Sequence, residues 1–137
     1  MLQKPLFIFG FFFLVLIAVL HVVAVDWYLY WTLPWFDILM HFLGGAWIGF
    51  VCIWLCFYSR YFSMPARTDI VYVVSVSVLG ALVVGVLWEV FEYVTGITFL
   101  VSNYVPDTVL DLIMDVVGGV VVAVAVYRYK KPYHGNA

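Results

Sequence analysis

The sequence predicts an all-α integral membrane protein, a bundle of four transmembrane helices. Its 137 residues are 67% apolar and only 10% charged, whereas about 25% of the residues of an ordinary soluble domain are charged. A spanning helix needs about 20 predominantly apolar residues, and the sequence has four such segments, at residues 6–25, 36–58, 70–95 and 108–127. We therefore expect one transmembrane domain, residues 1–137, with no soluble domain beside it.

The first two segments need separate justification. Residues 6–25 follow Lys4 and superficially resemble a signal peptide. This segment of 20 residues is longer than the usual apolar core of such peptides, which has about 7–15 residues, so we expect it to span the membrane. The second segment contains Cys52 and Cys56, which share a helix face at a spacing that does not suit a disulfide. We interpret both as packing residues.

The links between the segments predict the orientation. The link 26–35 is rich in Trp and Tyr, as is typical of a membrane interface, and neither it nor the link 96–107 contains Lys or Arg. All the basic residues fall on the other side: Lys4, Arg60, Arg67, Arg128, Lys130 and Lys131. The positive-inside rule then predicts cytoplasmic termini (N-in/C-in). These scattered residues form no basic patch, so no nucleic-acid partner is expected; membrane lipid is the expected partner.

The acidic residues gather in the predicted outer half of the bilayer. Seven of the eight lie there: Asp26, Asp37, Glu89, Glu92, Asp107, Asp111 and Asp115. The pairs Asp37/His41 and Asp111/Asp115 are spaced i,i+4 and Glu89/Glu92 i,i+3, so each pair shares one helix face. A charge in hydrocarbon costs about 2.5–3.5 kcal/mol or more, so these faces should point into the bundle and converge.

Converging carboxylates without Lys or Arg must be neutralised by protons or by a bound cation. Oxygen ligands with one or two imidazoles suit divalent Mn, Mg, Zn, Ca or Fe. The predicted metal ligands are Asp37, His41, Glu89, Glu92, Asp111 and Asp115, and the candidate catalytic bases are Glu92 and His41. Two ions, or one ion with a free base, fit this number of groups. The alternative is a proton-sharing network without metal. Whether His21 and Asp107 belong to the site stays open, Asp107 being also a candidate N-cap.

Two segments of the sequence resemble each other. One reads Asp37-Ile-Leu-Met-His41-Phe-Leu-Gly44-Gly45, and the other reads Asp111-Leu-Ile-Met-Asp115-Val-Val-Gly118-Gly119. Both would run in the same direction, which suggests a parallel repeat of two helices with a site at the repeat interface. The alternative is chance similarity between apolar helices built from few residue types. The glycines, with Gly49, are expected to let helices approach closely.

The polar motifs also carry a resemblance to a known family. They are Asp37-x-x-x-His41, Glu89-x-x-Glu92 after Trp88, and Asp107-Thr108-x-x-Asp111 followed by Asp115 and the glycine pair. This pattern resembles small bacterial inner-membrane proteins of unknown function that are related to the VanZ-like family associated with teicoplanin resistance. VanZ-like proteins look more like Glu-x-x-Gln and Asp-x-x-x-Asn, so Glu92 and Asp115 fit the first group better. The resemblance implies a bacterial or archaeal cytoplasmic membrane.

The leading functional hypothesis is a metal-dependent membrane enzyme or binding protein. It would act on an amphiphile of the outer leaflet, such as a lipid-linked phosphate or an envelope precursor, with metal-activated water as the nucleophile. One alternative is a proton- or cation-coupled transporter or channel. Another is a structural membrane subunit whose polar residues only fix helix register. The thin bundle also leaves homodimerisation open.

Overall fold

The described part of the protein is almost entirely helical. The computed structural model describes residues 3–59, 69–96 and 104–130. Its helices are α1 (Gln3–Asp26), α2 (Leu29–Thr32), α3 (Pro34–Ile53), α4 (Ile70–Thr95) and α5 (Tyr104–Lys130), and a π-helical turn, Trp54–Tyr58, continues α3. Four stretches are long and apolar enough to span a membrane: Pro5–Asp26, Pro34–Tyr58, Ile70–Thr95 and Val105–Tyr129. The predicted all-α, four-helix membrane fold is confirmed.

Local sequence signals set several of the helix ends. Pro34 stands at the start of α3, where its missing N–H leaves no helical hydrogen bond unmade. Asp69 caps α4 by accepting a hydrogen bond from the backbone N–H of Tyr72 at 2.8 Å. Gly96 ends α4 in the left-handed conformation, with φ 79°. Helix α5 begins at Tyr104, so Asp107 lies in its first turn rather than at the N-cap.

Helices α3, α4 and α5 pack against one another and form the core of the bundle. Helices α3 and α5 run parallel, because contacts advance together along both: Gly45 meets the backbone of Asp115, and farther on Ile53 packs near Ala123. The two similar sequence segments therefore lie side by side. Helix α4 packs against both α3 and α5, whereas α1 packs on α3 and the π-helical turn. Helices α1 and α4, which precede the two similar segments in the sequence, thus occupy different positions relative to α3 and α5.

Helix α1 is held to the core through contacts with α3. The indole N–H of Trp47 donates a hydrogen bond of 2.9 Å to the carbonyl oxygen of Gly10. Gly10 also leaves space for the ring of Phe50, which a methyl group at position 10 would contact too closely. Most of the large apolar side chains of α1 are exposed. A helix of this kind is expected to face lipid.

The glycines of the two similar segments differ in their packing. A Cβ atom at Gly45 would collide with the backbone of Asp115, and one at Gly118 would collide with the backbone of Phe42. Gly49 and Gly119 likewise lie at close helix contacts, whereas nothing lies within 4 Å of a Cβ atom at Gly44. The expected packing role therefore holds for four of the five glycines. Gly44 differs because one residue along a helix turns the side chain by about 100°.

We expect Gly45→Ala to destabilise the protein by about 1–3 kcal/mol, because the added methyl group must push two helix backbones apart. Gly44→Ala is the matched control. It makes the same chemical change in the same helix without a clash, and the higher helix propensity of Ala should leave it neutral or more stable by up to about 1 kcal/mol. Unfolding in mixed detergent micelles, followed by far-ultraviolet circular dichroism, measures both. Equal stabilities of the two variants would contradict this account of the helix contact.

Candidate metal centre

Three helices place four buried polar side chains in one cluster, which we call the polar cluster. His41 comes from α3, Glu89 from α4, and Asp111 and Asp115 from α5. Their relative exposures are 7%, 5%, 3% and 4%, respectively. Buried carboxylates are rare in proteins unless they are paired. The convergence of these polar faces, predicted from their helical spacing, is therefore present in the fold.

His41 lies at the centre of the polar cluster. Its Nε2 atom is 3.9 Å from Glu89 Oε1 and 4.0 Å from Asp111 Oδ2, while its Nδ1 atom is 3.4 Å from Asp115 Oδ2. The distances at Nε2 are too long for hydrogen bonds, which in proteins span about 2.7–3.2 Å. The contact of 3.4 Å at Nδ1 is a long hydrogen bond, slightly beyond that usual range. Nε2 thus faces two carboxylates without a hydrogen bond to either, whereas Nδ1 is hydrogen-bonded to a third.

Two carboxylate oxygens of the polar cluster have no hydrogen-bond partner in the described part of the chain. They are Glu89 Oε1 and Asp111 Oδ1, and both are inaccessible to solvent. The other oxygen of Glu89, Oε2, accepts a hydrogen bond of 2.7 Å from the hydroxyl of Thr108. A buried polar atom without a partner costs about 1–3 kcal/mol, and more when it is charged. These oxygens therefore have unused capacity to bind a proton or a cation.

Asp37 adds a further donor at the edge of the polar cluster. One oxygen of Asp37, one ring nitrogen of His41 and one oxygen of Asp111 all lie within 4.8 Å of one another, a separation at which they could share one metal ion. Asp37 is half-buried, whereas the other two are buried. One imidazole with carboxylate oxygens suits borderline and hard divalent ions. The residues present therefore fit a divalent metal.

Glu92 occupies a different environment from Glu89. Its Oε1 atom accepts a hydrogen bond of 2.9 Å from the indole N–H of Trp88, four residues earlier on α4. Glu92 is half-buried, and the carboxylates within 4.0 Å of the His41 ring belong to Glu89, Asp111 and Asp115. Of the six predicted ligands, the fold brings five together and leaves Glu92 bonded to Trp88 instead.

His21 lies outside the polar cluster and pairs with Tyr30. The Nδ1 atom of His21 is 2.8 Å from the Tyr30 hydroxyl. The Tyr30 ring packs edge-on against Phe36, with centroids 5.5 Å apart. Burial and the negative charges of Asp37 and Glu92 raise the pKa of Tyr30 to about 12. Tyr30 thus lies near the half-buried carboxylates, although in the sequence it was only one of several interfacial aromatics.

Two further residues that were not predicted as part of the site support the polar cluster. Thr108 holds one oxygen of Glu89. Gly85 leaves room for the carboxylate of Asp115, since a Cβ atom at position 85 would contact Asp115 Oδ2 too closely. Gly85 lies one helical turn before Glu89, so it shares the inward face of α4. That spacing was the signal that could have found it.

The described helices around the polar cluster contribute no Lys or Arg that could neutralise it. Lys and Arg are absent from residues 5–59 and 69–127, which include every residue of the site. His41 is therefore the one cationic group that these described residues can offer to the cluster. Buried carboxylates at close range cannot all carry a charge under these conditions. Protons or a divalent ion must complete the charge balance.

Comparisons with known proteins show the family. Searches of curated proteins and of solved structures found no match to the chain. A family described as predicted membrane protein (DUF2238) matches residues 5–132 and so covers all four helices and every residue of the candidate centre. The chain belongs to this family of predicted membrane proteins.

Proposed function

We propose that this multi-pass membrane protein binds a divalent cation within the bundle. The ligands are His41 through Nε2, Asp111, Asp37 and Glu89. The observation that carries the proposal is the pair of solvent-inaccessible oxygens without partners, Glu89 Oε1 and Asp111 Oδ1. They belong to two carboxylates that face His41 Nε2, in described helices without Lys or Arg around the site. A cation supplies these oxygens with the partner that the protein itself lacks.

The donor set favours some metals over others. Calcium and magnesium prefer oxygen ligands alone, whereas an imidazole nitrogen suits manganese, iron(II) or zinc. A divalent ion neutralises two carboxylates, so the remaining acidic groups keep protons or pair with His41. We therefore propose manganese, iron(II) or zinc ahead of calcium or magnesium.

We expect purified protein loaded with Mn²⁺ or Zn²⁺ to retain about one ion per chain, and His41→Ala and Asp111→Asn to lose it, because each removes a ligand. Asp69→Asn is the matched control. It also replaces a carboxylate with an amide, but at the N-cap of α4, where Asn caps as well as Asp. Elemental mass spectrometry gives the stoichiometry, and circular dichroism reports the fold.

If the wild-type protein retains no metal after loading with Mn²⁺, Zn²⁺ and Fe²⁺, that result would contradict metal binding and favour the proton-sharing network. Unfolding of both Glu89→Gln and Asp111→Asn, together with metal-free wild type, would favour the structural alternative. A variant that keeps its helical signal but loses its ion would support a dedicated site.

A second candidate function is hydrolysis of a lipid-linked substrate at the membrane surface. A bound divalent ion polarises substrate oxygens and acidifies water. Glu92 supports this candidate, because its carboxylate lies one turn from Glu89 and is held by Trp88 outside the proposed ligand set, where it would act as the general base. Glu92 would take one proton from water as the oxygen attacks phosphorus and the bond to the leaving group breaks. His41 is less suited to this role, since carboxylates face both of its ring nitrogens.

We expect Glu92→Gln to bind metal like the wild type but to hydrolyse a lipid diphosphate about 10²–10⁴-fold more slowly, because the general base is lost. Farnesyl diphosphate in detergent is a suitable probe, with released phosphate as the readout. Asp26→Asn, at an exposed position at the end of α1, is the control. Metal-loaded wild type that releases no phosphate above the metal-only blank would contradict the hydrolase and leave cation binding intact.

The packing below the polar cluster argues against the transporter alternative. Next to it, glycine contacts bring α3 and α5 together, and the buried Ser77 hydroxyl donates a hydrogen bond of 2.8 Å to the carbonyl oxygen of Gly119. The layer beyond contains buried Ile53, Val73 and Ala123. An ion would have to cross this apolar layer, to which the described helices contribute no carboxylate. The bacterial or archaeal cytoplasmic membrane, the VanZ-like relationship and a homodimer remain proposals.

A further inference from the structure

We propose that Asp115 is a positioning residue of the metal centre rather than one of its ligands. It accepts the Nδ1–H of His41 and thereby leaves Nε2 unprotonated and directed at Glu89 and Asp111. This inference rests on the proposed metal binding. It changes the role that the sequence suggested for Asp115, which was predicted as a metal ligand together with Asp111.

The two nitrogens of His41 lead to this division of roles. A neutral imidazole carries a proton on one nitrogen and a lone pair on the other, and its hydrogen-bond partner fixes which. Asp115 Oδ2 lies 3.4 Å from Nδ1, whereas Glu89 Oε1 and Asp111 Oδ2 lie 3.9 Å and 4.0 Å from Nε2. The shorter contact suits a hydrogen bond, and the longer ones suit two ligands that share a cation with Nε2.

The directions of the ring nitrogens separate Asp115 from the cation. The lone pair of Nε2 points away from Nδ1, so a cation on Nε2 lies across the ring from the carboxylate that holds Nδ1. The donor atoms that all lie within 4.8 Å of one another belong to Asp37, His41 and Asp111. Glu89 and Asp115 both lie outside this set, but Glu89 faces Nε2 together with Asp111, whereas Asp115 faces Nδ1. Metal-bound histidines usually donate their second N–H to a carboxylate or a carbonyl group, which orients the ring.

The fold also holds the Asp115 carboxylate in place. Gly45 packs on the Asp115 backbone from α3, and Gly85 leaves the space on α4 that Asp115 Oδ2 occupies. A methyl group at Gly85 would contact this oxygen too closely, and it would lie 3.2 Å from the Leu112 side chain. The carboxylate is the end of a flexible side chain, so it would be the group that moves. Gly85→Ala therefore displaces the Asp115 carboxylate without changing any ligand.

The test loads detergent-purified protein with Co²⁺ and compares wild type, Asp115→Asn and Gly85→Ala. We expect all three to bind about one ion per chain with the same visible absorption bands, which report the ligand set. The affinity of both variants should fall about 10–100-fold, as is typical when a partner of a metal-bound histidine is lost. Competition with a chromogenic chelator gives the affinity. Asp115→Glu, which restores a carboxylate, should recover part of it.

Two variants serve as controls. Gly44→Ala adds a methyl group where nothing lies within 4 Å, so it should bind Co²⁺ like the wild type. His41→Ala removes the nitrogen ligand and should abolish the cobalt bands. If Asp115 only stabilised the fold, Asp115→Asn would lower the unfolding temperature, and Gly85→Ala would not show a matching loss of Co²⁺ affinity.

Three results would overturn the inference. Loss of the bound ion or altered absorption bands in Asp115→Asn would make Asp115 a ligand. Unchanged affinity in Asp115→Asn and Gly85→Ala would remove Asp115 from the centre altogether. Wild type that takes up no Co²⁺ would instead contradict the proposed metal binding itself, so failure of the positioning role and failure of the site are distinguishable.

Discussion

Among the residues that the structure describes, no Lys or Arg lies near the buried carboxylates, and this is the constraint on which the rest of the structure depends. An unpaired charge in hydrocarbon is costly, so the polar faces of α3, α4 and α5 must turn towards one another and away from lipid. That requirement fixes the rotation of three helices about their axes. It also leaves Glu89 and Asp111 with buried oxygens that the described protein does not satisfy. The rotation of these helices and the candidate metal centre therefore have the same cause.

Close helix packing makes the polar cluster possible. Gly45 and Gly118 allow the backbones of α3 and α5 to meet, and Gly85 leaves space on α4 for the Asp115 carboxylate. With these contacts, side chains as short as Asp reach the His41 ring from α5. Bulkier residues at Gly45 or Gly118 would push α3 and α5 apart, whereas a methyl group at Gly85 would displace the Asp115 carboxylate. The glycines belong to the site as much as to the fold, because catalytic and metal groups need rigid support.

The sequence was sufficient to predict the four helices and the convergence of Asp37, His41, Glu89, Asp111 and Asp115. The helices could be predicted because four apolar segments are long enough to span a membrane. The convergence could be predicted because i,i+3 and i,i+4 spacing puts the polar residues on one face of each helix, and exposing that face to lipid would be costly. The sequence could not predict which nitrogen of His41 faces which carboxylate, because that depends on the register between helices. The bond that draws Glu92 to Trp88 depends on side-chain rotamers. The N-in/C-in orientation stays a prediction from the basic residues, because the packing of the helices is the same in either orientation.

The central claim is that His41 Nε2 binds a divalent ion together with carboxylate oxygens. Electron spin-echo envelope modulation of the Mn²⁺-loaded protein tests it most directly, since the spectrum detects a nitrogen nucleus bonded to the ion. The account predicts modulation from one histidine nitrogen in the wild type and no signal of protein-bound Mn²⁺ in His41→Ala, which loses the ion. A signal without nitrogen modulation in the wild type, or modulation that persists in His41→Ala, would contradict it.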